Sequence, residues 1–198
     1  MEKLKTYGEF LFESEVNDIS NGKKVVFFPG RFQPMHNGHI AALKRASAEF
    51  GVPVVALQIV SGNEDSPFPN ELLNKMAKDT VKANSFIADF LVYPIGEKTV
   101  IPLMIQYLRK QGYEPIGIAA GADRMKDYLR QIDYMKSPRT DTKVEPSFSL
   151  KIVDAREGGG PSGTKVRNSL KDGDQKSFNE QMPNELHKYY SNLRKYMD

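Results

Sequence analysis

The run Val25-Val26-Phe27-Phe28 contains no polar residue to turn toward water, and Pro29-Gly30 breaks it off at once. A strand that is apolar on successive positions must be covered on both faces, as the strands of parallel sheets are. Residues 24–28 are therefore expected to be a core strand, and a sheet of that kind needs crossover helices elsewhere in the chain. The following segments supply them. Ile40, Leu43, Ala46 and Phe50 recur at helical spacing, and Gly51 provides the stop. Residues 52–60 form a second apolar strand, 61–70 a polar loop punctuated by glycine and proline, and 71–81 a helix. A short strand at 90–93 ends at Pro94. Thr99 is placed to cap a helix whose Val100, Leu103, Met104, Tyr107 and Leu108 face inward until Gly112.

Residues 116–120 read as a fourth strand, followed by Gly121-Ala122-Asp123-Arg124 and a helix carrying Met125, Tyr128 and Leu129. The polar, proline-marked stretch 136–148 reads as a surface excursion, and 150–153 as a fifth strand. Such alternation predicts an α/β fold: a doubly wound, Rossmann-like sheet of about five mostly parallel strands with helices on both faces. Beyond it, Glu157 to Pro161 is a loop, Ser162 caps a helix running to Gly173, and 184–197 is a closing helix that buries Leu186, Tyr190 and Leu193.

One domain of residues 22–198 accounts for this pattern, with residues 1–21 standing apart as a tail. Leu4, Tyr7 and Leu11 make one apolar helical face in the tail, but Gly8 weakens it and 17–22 is turn-like. With no cysteine in the chain, thiolate catalysis, disulfides and cysteine-bound zinc are excluded. A net charge of +3 favours anionic ligands mildly, without the clustered basic face expected of a nucleic-acid binder. No apolar run reaches membrane-span length and the N-terminus lacks a secretion core, so the expectation is a cytoplasmic protein with no membrane partner.

Three constellations follow predicted strands: the turn bearing His36, Gly38 and His39; Gly121-Ala122-Asp123; and Ser162-Gly163-Thr164-Lys165-Val166-Arg167. A strand–loop–helix junction gathers backbone N–H groups and the positive end of a helix dipole, which suits phosphate. Each also has a plainer counterpart. A histidine pair caps and packs, Gly-x-Asp makes a turn, and a Gly-rich loop with a serine cap opens many helices.

Their order changes the weighting. Gly30-Arg31-Phe32-Gln33-Pro34-Met35-His36-Asn37-Gly38-His39 resembles the H-x-G-H signature of the nucleotidyltransferase superfamily. More narrowly, it is similar to the Gly-Arg-Phe-Gln-Pro-Phe-His-x-Gly-His form of archaeal-type nicotinamide mononucleotide adenylyltransferases and their tailed-phage relatives. Ser162 to Arg167 resembles the same family's second signature, Ile-Ser-(Ser/Gly)-Thr-x-(Ile/Val)-Arg, and Gly121 to Arg124 looks like the segment after the fourth strand in phage members. The resemblance covers roughly residues 24–183.

It implies transfer of AMP from ATP to a phosphomonoester with loss of pyrophosphate, nicotinamide mononucleotide being the first candidate acceptor. No protein nucleophile is needed for that, only alignment and neutralisation of growing charge. The implied catalytic residues are His39 on the α-phosphate, His36 positioning phosphate, and Arg167 on the β/γ-phosphates. Gly30, Arg31, Phe32 and Gly38, then Gly121, Asp123 and Arg124, then Ser162, Gly163, Thr164 and Lys165 are implied at ATP and its phosphates. Mg²⁺ is implied as a partner of ATP, though no carboxylate cluster marks a protein cage for it. Family members often form homo-oligomers, but no hydrophobic stripe here marks an interface.

Departures from the pattern concern the acceptor. Met35 replaces phenylalanine, Pro161 replaces isoleucine, and the chain has no tryptophan to stack on nicotinamide. Thr99 and Val100 stand about where that tryptophan falls, which leaves Tyr93 or another aromatic for the role. His187 lies outside every motif and reads as a packing residue. A cytidylyltransferase, or an adenylyltransferase acting on phosphopantetheine or FMN, is the alternative within this chemistry. Outside it stands a non-catalytic nucleotide-binding virion protein, suggested by the tail. Lys5-Thr6-Tyr7-Gly8-Glu9-Phe10-Leu11-Phe12-Glu13 resembles the capsid-targeting peptides of T-even-like phages, which are cut after a Leu/Ile-x-Glu triplet. That resemblance implies cleavage after Glu13, a phage origin and packaging in the capsid, against the plainer expectation of a partly ordered tail.

Overall fold

The computed structural model describes residues 22–60, 67–94, 100–136, 148–153 and 160–197. The tail, Thr99, the excursion at 137–147 and the loop at 157–159 lie outside them. Five strands, β1 (Lys23–Gly30), β2 (Val54–Gln58), β3 (Ile87–Val92), β4 (Tyr113–Ala120) and β5 (Ser149–Ile152), form one sheet in the order β3-β2-β1-β4-β5. Each neighbouring pair is parallel. The expected doubly wound sheet is present.

The apolar run explains the two faces. Val25, Phe27, Val55, Leu57 and Ile118 point one way, into a cluster with Ile101, Met104, Ile105 and Leu108 of helix α3 (Ile101–Lys110) and Ile132 and Met135 of α4 (Met125–Lys136). Val26, Phe28, Val54, Ala56 and Ala119 point the other way, onto Ala42, Leu43 and Ala46 of α1 (Asn37–Phe50). Phe27 is 0% exposed, and burying one such ring contributes about 2–3 kcal/mol. α1 ends at Gly51, whose φ of +68° is the left-handed cap that only glycine adopts without cost.

Three expectations change. β3 begins at Ile87 and spans six residues where 90–93 was expected. It is the sheet edge, so its residues are half-buried and Asp89 interrupts the apolar pattern. The closing helix divides into a 3₁₀ stretch, Asn184–Tyr189, and a short α7, Tyr190–Arg194. Three-per-turn winding puts Leu186 and Tyr189 on one side, which suits their burial. At α3 the cap position falls on Val100 without a side-chain bond, and Gln131 of α4 accepts from the Ile101 N–H at 2.7 Å instead.

A third cluster joins the C-terminal segment to the sheet layer. Leu73 and Met76 of α2 (Asn70–Ala83), with Phe68 before it, pack against Val166 and Leu170 of α5 (Gly163–Lys171) and Phe178 of α6 (Gln175–Gln181). Met182, Leu186 and Leu193 complete it. This packing carries the start of α5 back to the turn after β1.

Candidate active site

The turn between β1 and α1 is built tightly. Phe32 adopts φ +47°, a region that a bulky side chain rarely occupies and that costs on the order of 1–3 kcal/mol. Burial of its ring offsets that strain. The ring stands over Gly30, where an added Cβ would lie 2.9 Å from it, and packs on Phe28 and Phe90. Its other contact is His39, edge-on at 5.0 Å between ring centroids. Phe32 therefore serves the site as a buttress under His39.

The two histidines form a reciprocal cap. His36 is the N-cap of α1, and its Nδ1 accepts from the Gly38 N–H at 3.1 Å. His39 Nδ1 in turn accepts from the His36 N–H at 3.4 Å. The rings stack at 3.8 Å with 27° between their planes. An imidazole whose Nδ1 accepts a hydrogen bond carries its ring proton on Nε2. Both rings are thus set in one tautomer, His36 buried and His39 half-buried. The first amides of α1 are engaged internally: Gly38 by the His36 ring, His39 and Ile40 by the His36 carbonyl. These three amides are thereby engaged within the turn and are not what it would offer an anion.

The second signature meets the first across the fold. Arg167 Nη1 donates to the Gln33 carbonyl at 3.0 Å, and Nη2 donates to Thr164 Oγ1 at 3.4 Å. Ser162 caps α5 as expected, accepting from the Lys165 N–H at 3.2 Å, while Lys165 Nζ reaches the Gly160 carbonyl at 3.3 Å. The Pro161 carbonyl comes so near α1 that a Cβ on Gly38 would lie 2.9 Å from it. At Gly163 a Cβ would lie 3.1 Å from Arg167 Nη1. At Gly38 the neighbour is backbone and the position requires glycine, whereas at Gly163 the nearest atom is the end of a side chain, with the Gln33 carbonyl at 3.3 Å.

The third constellation is near by topology. β4 pairs with β1, and Gly121 follows β4 into a single 3₁₀ turn, Ala122–Arg124, at the same end of the sheet. Asp123 lies in that turn, and Arg31 and Arg124 are exposed. The site thus sits outside the carboxyl ends of β1 and β4, where the strand order reverses and open α/β sheets bind ligands. Tyr93 is not there: it is 3% exposed and packs edge-on against Tyr107 in the core. His187 bonds the Met182 carbonyl at 3.0 Å within the C-terminal segment, a packing role.

Gln33 has a role that its place in the first signature did not reveal. Its carbonyl holds Arg167 while its side-chain Oε1 accepts from the Phe68 N–H at 3.3 Å, so one residue ties together three segments. The available signal was a buried-context polar residue between Phe32 and Pro34. Among the described residues no cluster of three or more His, Asp or Glu could hold a metal ion, and no helix is long and apolar enough to cross a membrane.

Comparison with known proteins bears on this arrangement. The family model described as cytidylyltransferase-like matches residues 27–169. Phosphopantetheine adenylyltransferases of Arthrobacter sp. (strain FB24) and Paenarthrobacter aurescens (strain TC1) are 33% identical over 99 residues and 30% identical over 122 residues. The first match covers 48% of this chain and 56% of the relative, the second 61% and 66%. The chain therefore spans between about half and two thirds of those relatives' length. Nicotinic acid mononucleotide adenylyltransferase of Plasmodium falciparum shares the fold, with a TM-score of 0.56 at 15% identity over 88% of this chain and 98% of that one.

Proposed function

The chain belongs to the cytidylyltransferase-like family, and from that premise we propose that it transfers AMP from ATP to a phosphomonoester, releasing pyrophosphate. The observation that carries this is the meeting of the two half-sites. Arg167 and the start of α5 are locked onto the turn that holds His36 and His39. Two imidazoles and one guanidinium are thereby gathered at one end of the sheet, a donor set suited to the charge of a triphosphate.

In this proposal the acceptor's phosphate oxygen attacks the α-phosphorus in line with the departing pyrophosphate. His39 Nε2–H stabilises charge growing on the α-phosphate, and His36, behind it in the stack, keeps the ring aligned and contacts phosphate. Arg167 and the amides of Gly163 and Thr164 hold the leaving β/γ-phosphates, with Arg31, Lys165 and Arg124 as further cations. Such preorganised donors act without reorganisation cost at the moment of reaction. Mg²⁺ bound to the triphosphate would supply charge neutralisation on the leaving group, and the described residues offer it no carboxylate cluster of their own.

Nicotinamide mononucleotide is the acceptor put first. Phosphopantetheine is the second, favoured by the names of the sequence relatives. The test is a pyrophosphate-release screen crossing ATP and CTP with both acceptors, FMN and a set of sugar phosphates. Release only with ATP and one of the first two supports the proposal, whereas no release with any pair rejects it. Packaging in a capsid remains a separate proposal, checked by whether a matching prohead protease trims the chain after Glu13.

A further inference from the structure

The guanidinium of Arg167 is aimed by a backbone oxygen, and the residue that owns this oxygen is itself held at its side chain. Gln33 is 8% exposed, and its Oε1 accepts from the buried Phe68 N–H at 3.3 Å. Its carbonyl accepts from Arg167 Nη1 at 3.0 Å, and a Cβ on Gly163 would lie 3.3 Å from that same oxygen. Phe32, Pro34 and Met35 around it are buried and apolar, so this amide is the one polar side chain of the run 32–35.

These contacts close into a ring. Phe68 packs in the cluster that holds Val166 and Leu170 of α5. α5 carries Arg167, and Arg167 returns to the Gln33 carbonyl. The path thus runs from the Gln33 amide to Phe68, through packing to α5, and back through the guanidinium. Planar peptides leave only φ and ψ free, so a residue pinned at both its side chain and its carbonyl has little room to turn. With Oε1 released, the carbonyl would keep only the arginine that it has to aim.

We propose that Gln33 is a positioning residue for ATP: its carboxamide fixes the carbonyl that orients the Arg167 fork toward the β/γ-phosphates. This rests on the nucleotidyl-transfer reading, in which Arg167 is the β/γ-phosphate contact. Gln33 itself touches no substrate. A guanidinium binds phosphate as a planar fork, so a change in its angle weakens paired hydrogen bonds together. A fork already set before ATP arrives loses less freedom on binding. The plainer role for the same bond is to hold Phe68 in the fold, and the two roles differ in what they do to ATP binding.

The test is a double-variant cycle read in ATP affinity. Calorimetry with ATP and Mg²⁺ is run on wild type, Gln33→Met, Arg167→Lys and the two combined. Methionine keeps the length and the burial and removes the strong acceptor. Gln33→Met should weaken ATP binding about fivefold. It should also melt about 2–5 °C lower, because the Phe68 N–H loses its partner. The combined variant should bind ATP within about twofold of Arg167→Lys alone, because the amide acts through the fork. In pyrophosphate release, Gln33→Met should raise KM for ATP by a similar factor and move kcat by less than about twofold. Gln33→Asn, one carbon shorter, takes its place should the methionine variant not fold. An ATP affinity of Gln33→Met within about twofold of wild type, or losses that multiply in the combined variant, would overturn the proposal. A lowered melting temperature beside either of those results would make the bond structural alone. Coupled losses in ATP binding without pyrophosphate release support the contact and reject the reaction. Release with uncoupled losses does the reverse, and no ATP binding by wild type overturns both.

Discussion

Arg167 donates to the backbone carbonyl of Gln33 across 134 positions of sequence, at 3.0 Å. The contact uses one arm of the guanidinium while the other reaches Thr164. The fork is thereby fixed in direction before any ligand arrives, which is what distinguishes an arginine from a mobile point charge.

Arg167→Lys retains the charge and loses the fork. In the proposed reaction it should raise KM for ATP about tenfold, with a smaller fall in kcat, since phosphate binding weakens while the histidines stay in place. Steady-state pyrophosphate release gives both constants.

Replacing His39 tests the centre of the site. His39→Ala should cut turnover by about 100-fold or more while ATP affinity, measured by calorimetry, changes by less than about threefold. Unchanged turnover would remove His39 from the reaction. The variant should also melt slightly lower, because His36 N–H loses its Nδ1 acceptor.

Gly38→Ala introduces one methyl group between parts that cannot both yield. It would lie 2.9 Å from the Pro161 carbonyl and 3.0 Å from the His36 ring. A loss of about 1–3 kcal/mol in denaturant unfolding is expected, together with reduced turnover as the two half-sites part. A variant as stable as wild type would show that the 160–163 segment is not held against α1.

The joint between α2 and the C-terminal segment should show in pH dependence. Asp79 pairs with Lys188 at 2.6 Å and accepts from the Tyr189 hydroxyl at 2.8 Å. The hydrogen bonds from Lys188 and then Tyr189 hold the Asp79 carboxyl below its ordinary value, against some opposition from burial. Burial, then the Asp79 hydrogen bond, pushes the Tyr189 phenol up to about 12 from an ordinary 10.0. The contribution of Tyr189 is therefore complete below pH 10.0 and lost as pH rises through about 12. That of Asp79 is complete above its ordinary 3.8 and lost as pH falls through the lowered value. Tyr189→Phe should lower the melting temperature by about 3 °C near neutrality and flatten the loss on the alkaline side. Thermal melts across pH check both.

The sheet was legible in the sequence wherever burial was two-sided. Val25 to Phe28 and the spacing of Ile40 to Phe50 sufficed for β1 and α1, because nothing polar competed with the pattern. β3 was half-legible because an edge strand is half-solvated, and Asp89 there bonds the Tyr113 hydroxyl, a partner 24 residues away. The histidines and Arg167 were legible as a motif pair, but their joint was not. The link runs through the carbonyl of Gln33, and a backbone atom leaves no trace in residue identity.

The meeting of Gln33 with Arg167 also orders events during synthesis. The histidine turn is made well before its counterpart, and the helices that clamp that counterpart, out to Leu193, come later still in the chain. A nascent chain that stops before α5 carries the histidine turn without the arginine that Gln33 holds. The two halves of the proposed site are therefore completed together, only once α5 has joined the fold.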